Sequence, residues 1–242
     1  SSTRFPGKPL ALLGGKYIIQ RVYERVRNLF EEAYVATDDE RIATTVENFG
    51  GKAILTSPNH RSGTDRCWEA VSKLGADKYD VVVNIQGDEP FIHLSQMETI
   101  KNIFSDDKTQ IATLVKPFDK NAPFSDLKNP NSPKVIVNRD MKALYFSRSV
   151  IPYLRGVAEE DWLKSHTFYK HIGMYAYRTN VLREITQLEQ STLEKAESLE
   201  QLRWLENGYS IQVGITSIET IGIDTPDDLR KAEKFLKASE QN

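Results

Sequence analysis

The chain has 242 residues, 39% of them hydrophobic, with 10 Phe, 10 Tyr and 3 Trp, enough for a sizeable core in one large domain or two small ones. Its 32 Lys and Arg stand against 34 Asp and Glu, a net charge of −2, so no basic excess argues for nucleic acid as a partner. The single cysteine, Cys67, excludes an internal disulfide and fits a reducing cytoplasm; no apolar run nears the roughly 20 residues of a membrane span, and the polar start SSTRFPGKPL has no signal-peptide core.

Residues 1–16 hold Arg4 and Lys8 around Pro6-Gly7 and end in Gly14-Gly15-Lys16. Two cations on a loop shaped by Pro and Gly, ahead of a helix, suit a polyphosphate through charge and backbone donors. The spacing is neither GxxxxGK[ST] nor GxGxxG, and a solvated basic loop reads the same way. Ile19, Val22, Tyr23, Val26 and Phe30 recur at helical spacing and predict a helix. Ala33–Thr37 predicts a short strand ending at Asp38-Asp39, acids that can cap a second helix carrying Ile42, Val46 and Phe49. Gly50-Gly51 closes that helix and Lys52–Thr56 begins another strand, giving α-β-α-β, the rhythm of a doubly wound parallel sheet.

The loop Ser57–Arg66 runs into a helix that Ser62, Thr64 or Asp65 can cap, with Cys67, Val71 and Leu74 toward the core. Cys67 reads as a small core residue. His60, Arg61, Ser62, Thr64 and Arg66 gather enough donors for a phosphate or a base edge, although capping alone accounts for Ser62 or Thr64. Tyr79–Pro90, YDVVVNIQGDEP, is a continuous β-branched run, the pattern of a buried parallel strand, interrupted at Gly87-Asp88. Ligands of open α/β sheets sit just beyond the carboxyl ends of the strands. Asp88 is therefore placed either to hold a hard cation such as Mg²⁺ or to shape a solvated turn.

Met97, Ile100 and Phe104 predict a further helix and Ile111–Lys116 a strand, while the four prolines in 117–133 predict an irregular excursion. Lys134–Asn138 and Ala143–Ser147 predict a hairpin about Arg139-Asp140. Strict alternation fails from here, so the second half is expected to form a mixed sheet or an inserted subdomain. Tyr169–Arg178, YKHIGMYAYR, is a strand with His171, Gly173, Tyr175 and Tyr177 on one face and Ile172, Met174 and Ala176 on the other. The first face suits a hydroxyl-rich ligand or an aromatic dimer contact. Leu193–Gly208 predicts one helix with Leu199, Leu202 and Leu205 inward and Glu200 and Arg203 as a surface i,i+3 pair. After the strand Ser210–Thr216, Thr225 and Asp228 predict a capping box, Pro226 fits the first turn, and the last helix buries Leu229, Ala232 and Leu236. Capping does not need Asp224, which makes it a second candidate oxygen ligand. The spacing of His60, His93, His166 and His171 matches no zinc site.

The segments SSTRFPGKPL, VATDDERI, SGTDR, VNIQGDEP, ALYFSRSVIPY, KHIGMYAYR, LEKAESLEQLRWLENG and GIDTPDDL follow one family's order from end to end. On them the chain resembles the 3-deoxy-manno-octulosonate cytidylyltransferases, or CMP-Kdo synthetases. Enzymes that make CMP-sialic acid share the loop and the GDxP-type turn but resemble the second half less. The resemblance implies an α/β, Rossmann-like nucleotidyltransferase fold: a mixed, mostly parallel sheet flanked by helices, with a smaller sugar-binding and dimerisation part in the second half. It implies a single domain over 1–242, with a CTP-binding half at 1–116, an insertion and dimerisation part at 117–190 and a return to the core sheet at 191–242. The implied activity is Mg²⁺-dependent transfer of a cytidylyl group from CTP to 3-deoxy-D-manno-octulosonate (Kdo), for lipopolysaccharide synthesis, in a cytoplasmic homodimer.

The resemblance also implies roles for residues. Arg4 and Lys8 would grip the CTP phosphates and, with Asp88, serve catalysis. Ser62, Thr64 and Arg66 would line the nucleotide pocket, with Gln86 at its border with the sugar. Asp88 and Asp224 would hold Mg²⁺, and Arg148, His171, Tyr175, Glu200 and Gln201 would contact the sugar. The family pattern places an apolar first strand and one more arginine directly ahead of Ser1. The expectation is a natural chain that begins further upstream, not a sheet that lacks this strand.

Overall fold

The computed structural model describes Phe5 and residues 7–219, 222–223 and 225–240. They form two compact units that interleave along the chain: those described within 1–78, 84–98 and 220–242 make the first, and 79–83 and 99–219 the second.

In the first unit Gly7, at φ 70°, turns the chain into a single helical turn, Lys8–Leu10. β1 (Leu12–Leu13) and β2 (Lys16–Tyr17) pair antiparallel, and α1 (Ile18–Arg27) follows with Ile18, Ile19 and Val22 buried. β3 (Val35–Thr37) crosses over through α2 (Glu40–Asn48) to β4 (Ala53–Leu55), and the two strands lie parallel with Val35 opposite Ala53. Asp39 caps α2 by accepting from Arg41 N–H at 2.9 Å. Ser62 caps α3 (Gly63–Leu74) by accepting from Asp65 N–H at 3.2 Å, so Ser62 takes the role left open among three residues. Each such cap stabilises its helix by about 1 kcal/mol. The opening α-β-α-β rhythm is therefore the one the periodicities predict.

β5 (Val81–Asn84) is the continuous apolar run, and α4 (Leu94–Ile103) follows its terminal turn. In the second unit come β6 (Ile111–Pro117), α5 (Phe124–Lys128), β7 (Lys134–Val137), β8 (Ala143–Ser147), α6 (Trp162–Ser165) and β9 (Tyr169–Arg178). α7 (Thr179–Ile185), α8 (Thr192–Glu197), α9 (Gln201–Glu206) and β10 (Ile211–Ile215) complete it, and α10 (Pro226–Glu240) returns to the first unit. The larger sheet has the order β10-β6-β9-β7-β8, with β5 also paired to β9. It is mixed, as expected. Among the registers described, β3–β4 and β6–β10 are parallel, whereas β6–β9, β7–β9 and β7–β8 are antiparallel. The short connection 138–142 allows β7 and β8 no other choice, since a parallel pair needs a crossover of about a dozen residues.

Two readings change. The helix expected over Leu193–Gly208 breaks into α8 and α9 at Ser198, which adopts φ 50°. The Glu200–Arg203 pair forms at 3.0 Å, but not on the surface: Arg203 is buried and also meets buried Glu194 at 3.1 Å. The proline-rich excursion is ordered around its own small core of Leu127, Trp162, Leu163 and Phe168. The last helix packs Ala232 and Leu236 with Leu13, Ile18, Phe91 and Ile223. Among the described residues no helix is long and apolar enough to cross a membrane.

Candidate functional site

The turn at the end of β5 is tied on both sides. Glu89 N–H donates to Gln86 O at 3.3 Å, closing the turn, and Ile223 N–H donates to Asp88 O at 3.0 Å, bringing the chain at 223 alongside. Gly87 packs so closely on α1 that a Cβ there would sit 3.2 Å from Ile19 Cδ1. Asp88 keeps a partly exposed carboxylate, and the nearly buried Lys8 donates to it through Nζ. Lys8 and Asp88, expected to serve the same chemistry from distant segments, are thus in contact. Arg4 and Asp224, expected beside them, lie outside the described residues.

The residues assigned to the nucleotide sit around the start of α3. Thr64 is buried. Arg66 donates to Thr56 Oγ1 at 2.6 Å and meets Asp38 at 3.1 Å, so its guanidinium joins the segments that follow β4 and β3. Gly63 faces the amides of the β5 terminus: a Cβ there would lie 3.4 Å from Asn84 Nδ2 and 3.7 Å from Gln86 Nε2. That approach puts Gln86 beside the capped helix start. Glu69 on α3 anchors the preceding loop by accepting from Ser57 N–H at 2.8 Å and contacting His60 Nε2. The Lys73 ammonium, then Ser57 N–H and His60, hold the Glu69 carboxyl down to about 2. Glu69 and Asn84 were not singled out from the sequence, and Asp38 reads there only as a helix-capping acid, because only the folded arrangement shows what they anchor.

In the second unit β9 carries a bulge. Thr113 lies opposite Tyr175 and Leu114 opposite Ile172, so Gly173 and Met174 have no partner in the ladder. An insertion of two residues preserves the period, and His171 and Tyr175 stay on one face with ring centroids 5.3 Å apart. Trp204 from α9 stands edge-on to Tyr175 at 5.1 Å and to Tyr177 at 5.6 Å. Burial brings the His171 imidazole down to about 4. Burial first, then the charges of Tyr177 and Glu200, pushes the Tyr175 phenol well above its ordinary range. Tyr175 Oη, Gln201 Nε2 and Trp204 Nε1 are sealed from solvent without a hydrogen-bond partner among the described residues. Proteins pair almost all such atoms, so three in one neighbourhood suit a polar ligand. Trp204 was missed because its helical spacing reads as plain core.

Arg148 behaves differently from its neighbours in that set. Its Nε donates to Glu197 O at 2.6 Å, Nη1 to Pro130 O at 2.8 Å and Nη2 to Ser198 O at 3.2 Å. The Glu197 carboxylate accepts from Ser147 Oγ at 2.6 Å and from Arg148 N–H at 2.9 Å. Beneath them Lys134, with no accessible surface, donates to Arg148 O at 2.6 Å and Asn129 O at 3.1 Å; burial lowers its ordinary pKa. The carbonyls released by the break between α8 and α9 are the ones Arg148 satisfies.

A lysine set against an aspartate just past the end of a strand, with a capped helix start near the same turn, suits a polyphosphate in an α/β frame and is the arrangement a nucleotidyltransferase needs. Comparison with known proteins narrows this. Residues 1–221 match the family described as Cytidylyltransferase, and the chain belongs to it. A 3-deoxy-manno-octulosonate cytidylyltransferase of Bacteroides thetaiotaomicron is 66% identical over 237 residues, spanning 98% of this chain and 94% of its own length. Another, from Phocaeicola vulgatus, is 66% identical over 240 residues, spanning 99% of this chain and 95% of its own. The solved structure of a CMP:2-keto-3-deoxy-manno-octonic acid synthetase complexed with CTP matches with a TM-score of 0.89 at 40% identity, covering 99% of this chain and 95% of that one.

Proposed function

We propose that this protein transfers a cytidylyl group from CTP to 3-deoxy-D-manno-octulosonate, giving CMP-Kdo and pyrophosphate, in the cytoplasm and as a homodimer that serves lipopolysaccharide synthesis. The observation that carries the reading is the end-to-end match to relatives bearing that name, which takes in both the Lys8–Asp88 pair and the β9 face. The hydroxyl on the anomeric carbon forms a bond to the α-phosphorus, the bond to the β-phosphate oxygen breaks, pyrophosphate leaves and the hydroxyl proton is released.

Such a displacement needs charge neutralisation and alignment more than a covalent nucleophile. Lys8, with Arg4, would hold the phosphates; Ser62, Thr64, Arg66 and Gln86 would orient the nucleoside side. In the second unit His171, Tyr175, Glu200 and Gln201 would hold the sugar acid, with Arg148 at its edge. The donor chemistry of Asp88 fits Mg²⁺: a partly exposed hard carboxylate that already carries a cationic partner. Asp88, with Asp224, would hold Mg²⁺, whose contribution when bound is Lewis-acid stabilisation of the phosphates.

Pyrophosphate release from CTP, Mg²⁺ and Kdo tests the proposal. Release with a sialic acid but none with Kdo would sink it. Light scattering tests the dimer, and a monomer at assay concentration would refute that part.

A further inference from the structure

We infer that Thr113 is a positioning residue for His171, fixing it as the Nε2–H tautomer and leaving Nδ1 to accept a hydrogen bond from a hydroxyl of the sugar acid. The ligand half of this rests on the proposed role of the β9 face; the tautomer half does not.

Thr113 is fully buried in β6 among Ile111, Ala112, Leu114 and Val115, which are equally inaccessible. A hydroxyl in such a place needs partners. Its Oγ1 lies 2.8 Å from Met174 O, 3.3 Å from Ile172 O and 2.9 Å from His171 Nε2. The bulge explains this convergence, since the register slips between Thr113 and Leu114 and the ladder leaves carbonyls of the bulged segment to be satisfied from the side.

The proton count then decides the tautomer. A hydroxyl has one hydrogen and two lone pairs, and a carbonyl oxygen can only accept. The hydrogen therefore goes to the carbonyls, the nearer Met174 O taking it. Thr113 has nothing left to donate to the ring, so Nε2 must carry the hydrogen and donate to a lone pair of Oγ1. The opposite assignment sets the Thr113 oxygen against two carbonyl oxygens in a dry interior with no hydrogen between them. A neutral imidazole has one N–H, so Nδ1 keeps a lone pair. Burial keeps the ring neutral, its pKa down at about 4. Edge-on contact with Phe146, at 5.2 Å between centroids, and the tilted Tyr175 ring hold the imidazole in place.

Long-range ¹H–¹⁵N spectra of the four histidines, with the His171 signal assigned through His171→Gln, read the tautomer without any substrate. The expected result is Nε2–H in the wild type and in Thr113→Ser, and loss of that single form in Thr113→Val, which keeps the shape but removes the hydroxyl. In turnover Thr113→Val should raise the KM for Kdo about tenfold, the equivalent of one hydrogen bond, with the KM for CTP unchanged and the serine variant restored. A wild-type ring protonated at Nδ1 overturns the inference, as does a valine variant that keeps Nε2–H or leaves the KM for Kdo unmoved. Should the valine variant not fold, the wild-type and serine spectra still decide it. Failure of the proposed function is read separately, as absence of pyrophosphate release by the wild type.

Discussion

Replacing Arg148 by lysine asks whether this guanidinium serves the fold or a ligand. Lysine keeps the charge and loses the planar fork that reaches three carbonyls at once. Those carbonyls belong to Pro130, Glu197 and Ser198, at 2.8, 2.6 and 3.2 Å. A hydrogen bond from a charged donor contributes about 1.5–3 kcal/mol when dry and less when wet. The bond to Glu197 O is partly buried, whereas those to Pro130 and Ser198 face solvent, and lysine can keep one of the three. The loss then comes to about 2–3 kcal/mol, concentrated where α8 breaks into α9. For a chain of this size that lowers Tm by roughly 5–10 °C. Scanning calorimetry without substrates measures it. A Tm within about 2 °C of the wild type, with a raised KM for Kdo, would refute the reasoning and return Arg148 wholly to the ligand.

Asp88→Asn should lower kcat at least about a hundredfold while calorimetric CTP binding changes only a few fold, because in the proposed role it removes a charge that would act mainly on the transition state; an unchanged kcat would take Asp88 out of the chemistry. His171 sets a pH dependence of stability. Its folded-state pKa is about 4 against an ordinary 6.5, so in that window the unfolded chain binds the proton and the folded one does not. Stability is full above about pH 6.5 and falls as the pH drops toward 4, by up to roughly 3 kcal/mol, and His171→Gln should flatten this slope in urea unfolding series. Gly214→Ala should cost about 2–3 kcal/mol by overpacking, since the new Cβ would lie 2.7 Å from Thr99 Cγ2 and 2.9 Å from Leu114 Cδ2; an unshifted urea midpoint would contradict that contact.

The sequence revealed what is local. Helical spacing located α1 and α2, alternation located β9, and cap chemistry located the starts of α3 and α10, where Thr225 and Asp228 do form the reciprocal pair at 3.0 and 3.2 Å. Arrangements made across the chain were not legible. Nothing in LEKAESLEQLRWLENG shows that its helix must break, because the side chain that satisfies the released carbonyls comes from β8's end, far earlier in the sequence. The same holds for Arg203, which reads as a surface charge until Glu194 and Leu188 O are seen enclosing it. Thr113 likewise reads as an ordinary strand residue until the slipped register of β9 brings two carbonyl oxygens and His171 Nε2 to its hydroxyl.

Motif membership alone also fails to separate residues that hold the site together from residues that remain available to a ligand, and the hydrogen-bond pattern supplies that separation. Arg66 and Arg148 belong to matched segments, yet the protein already engages them: Arg66 with Thr56 and Asp38, Arg148 with three carbonyls. Tyr175 Oη, Gln201 Nε2 and Trp204 Nε1 are buried with no such engagement among the described residues. A buried polar atom left unsatisfied costs about 1–3 kcal/mol, a cost that a bound hydroxyl-rich ligand removes. Removing the Tyr175 hydroxyl alone, as Tyr175→Phe, should therefore leave Tm unchanged or raise it while weakening the ligand. Removing Arg66 or Arg148 should lower Tm as well as weaken the ligand. The two classes of variant thus move stability and affinity in different proportions, which a motif cannot reveal.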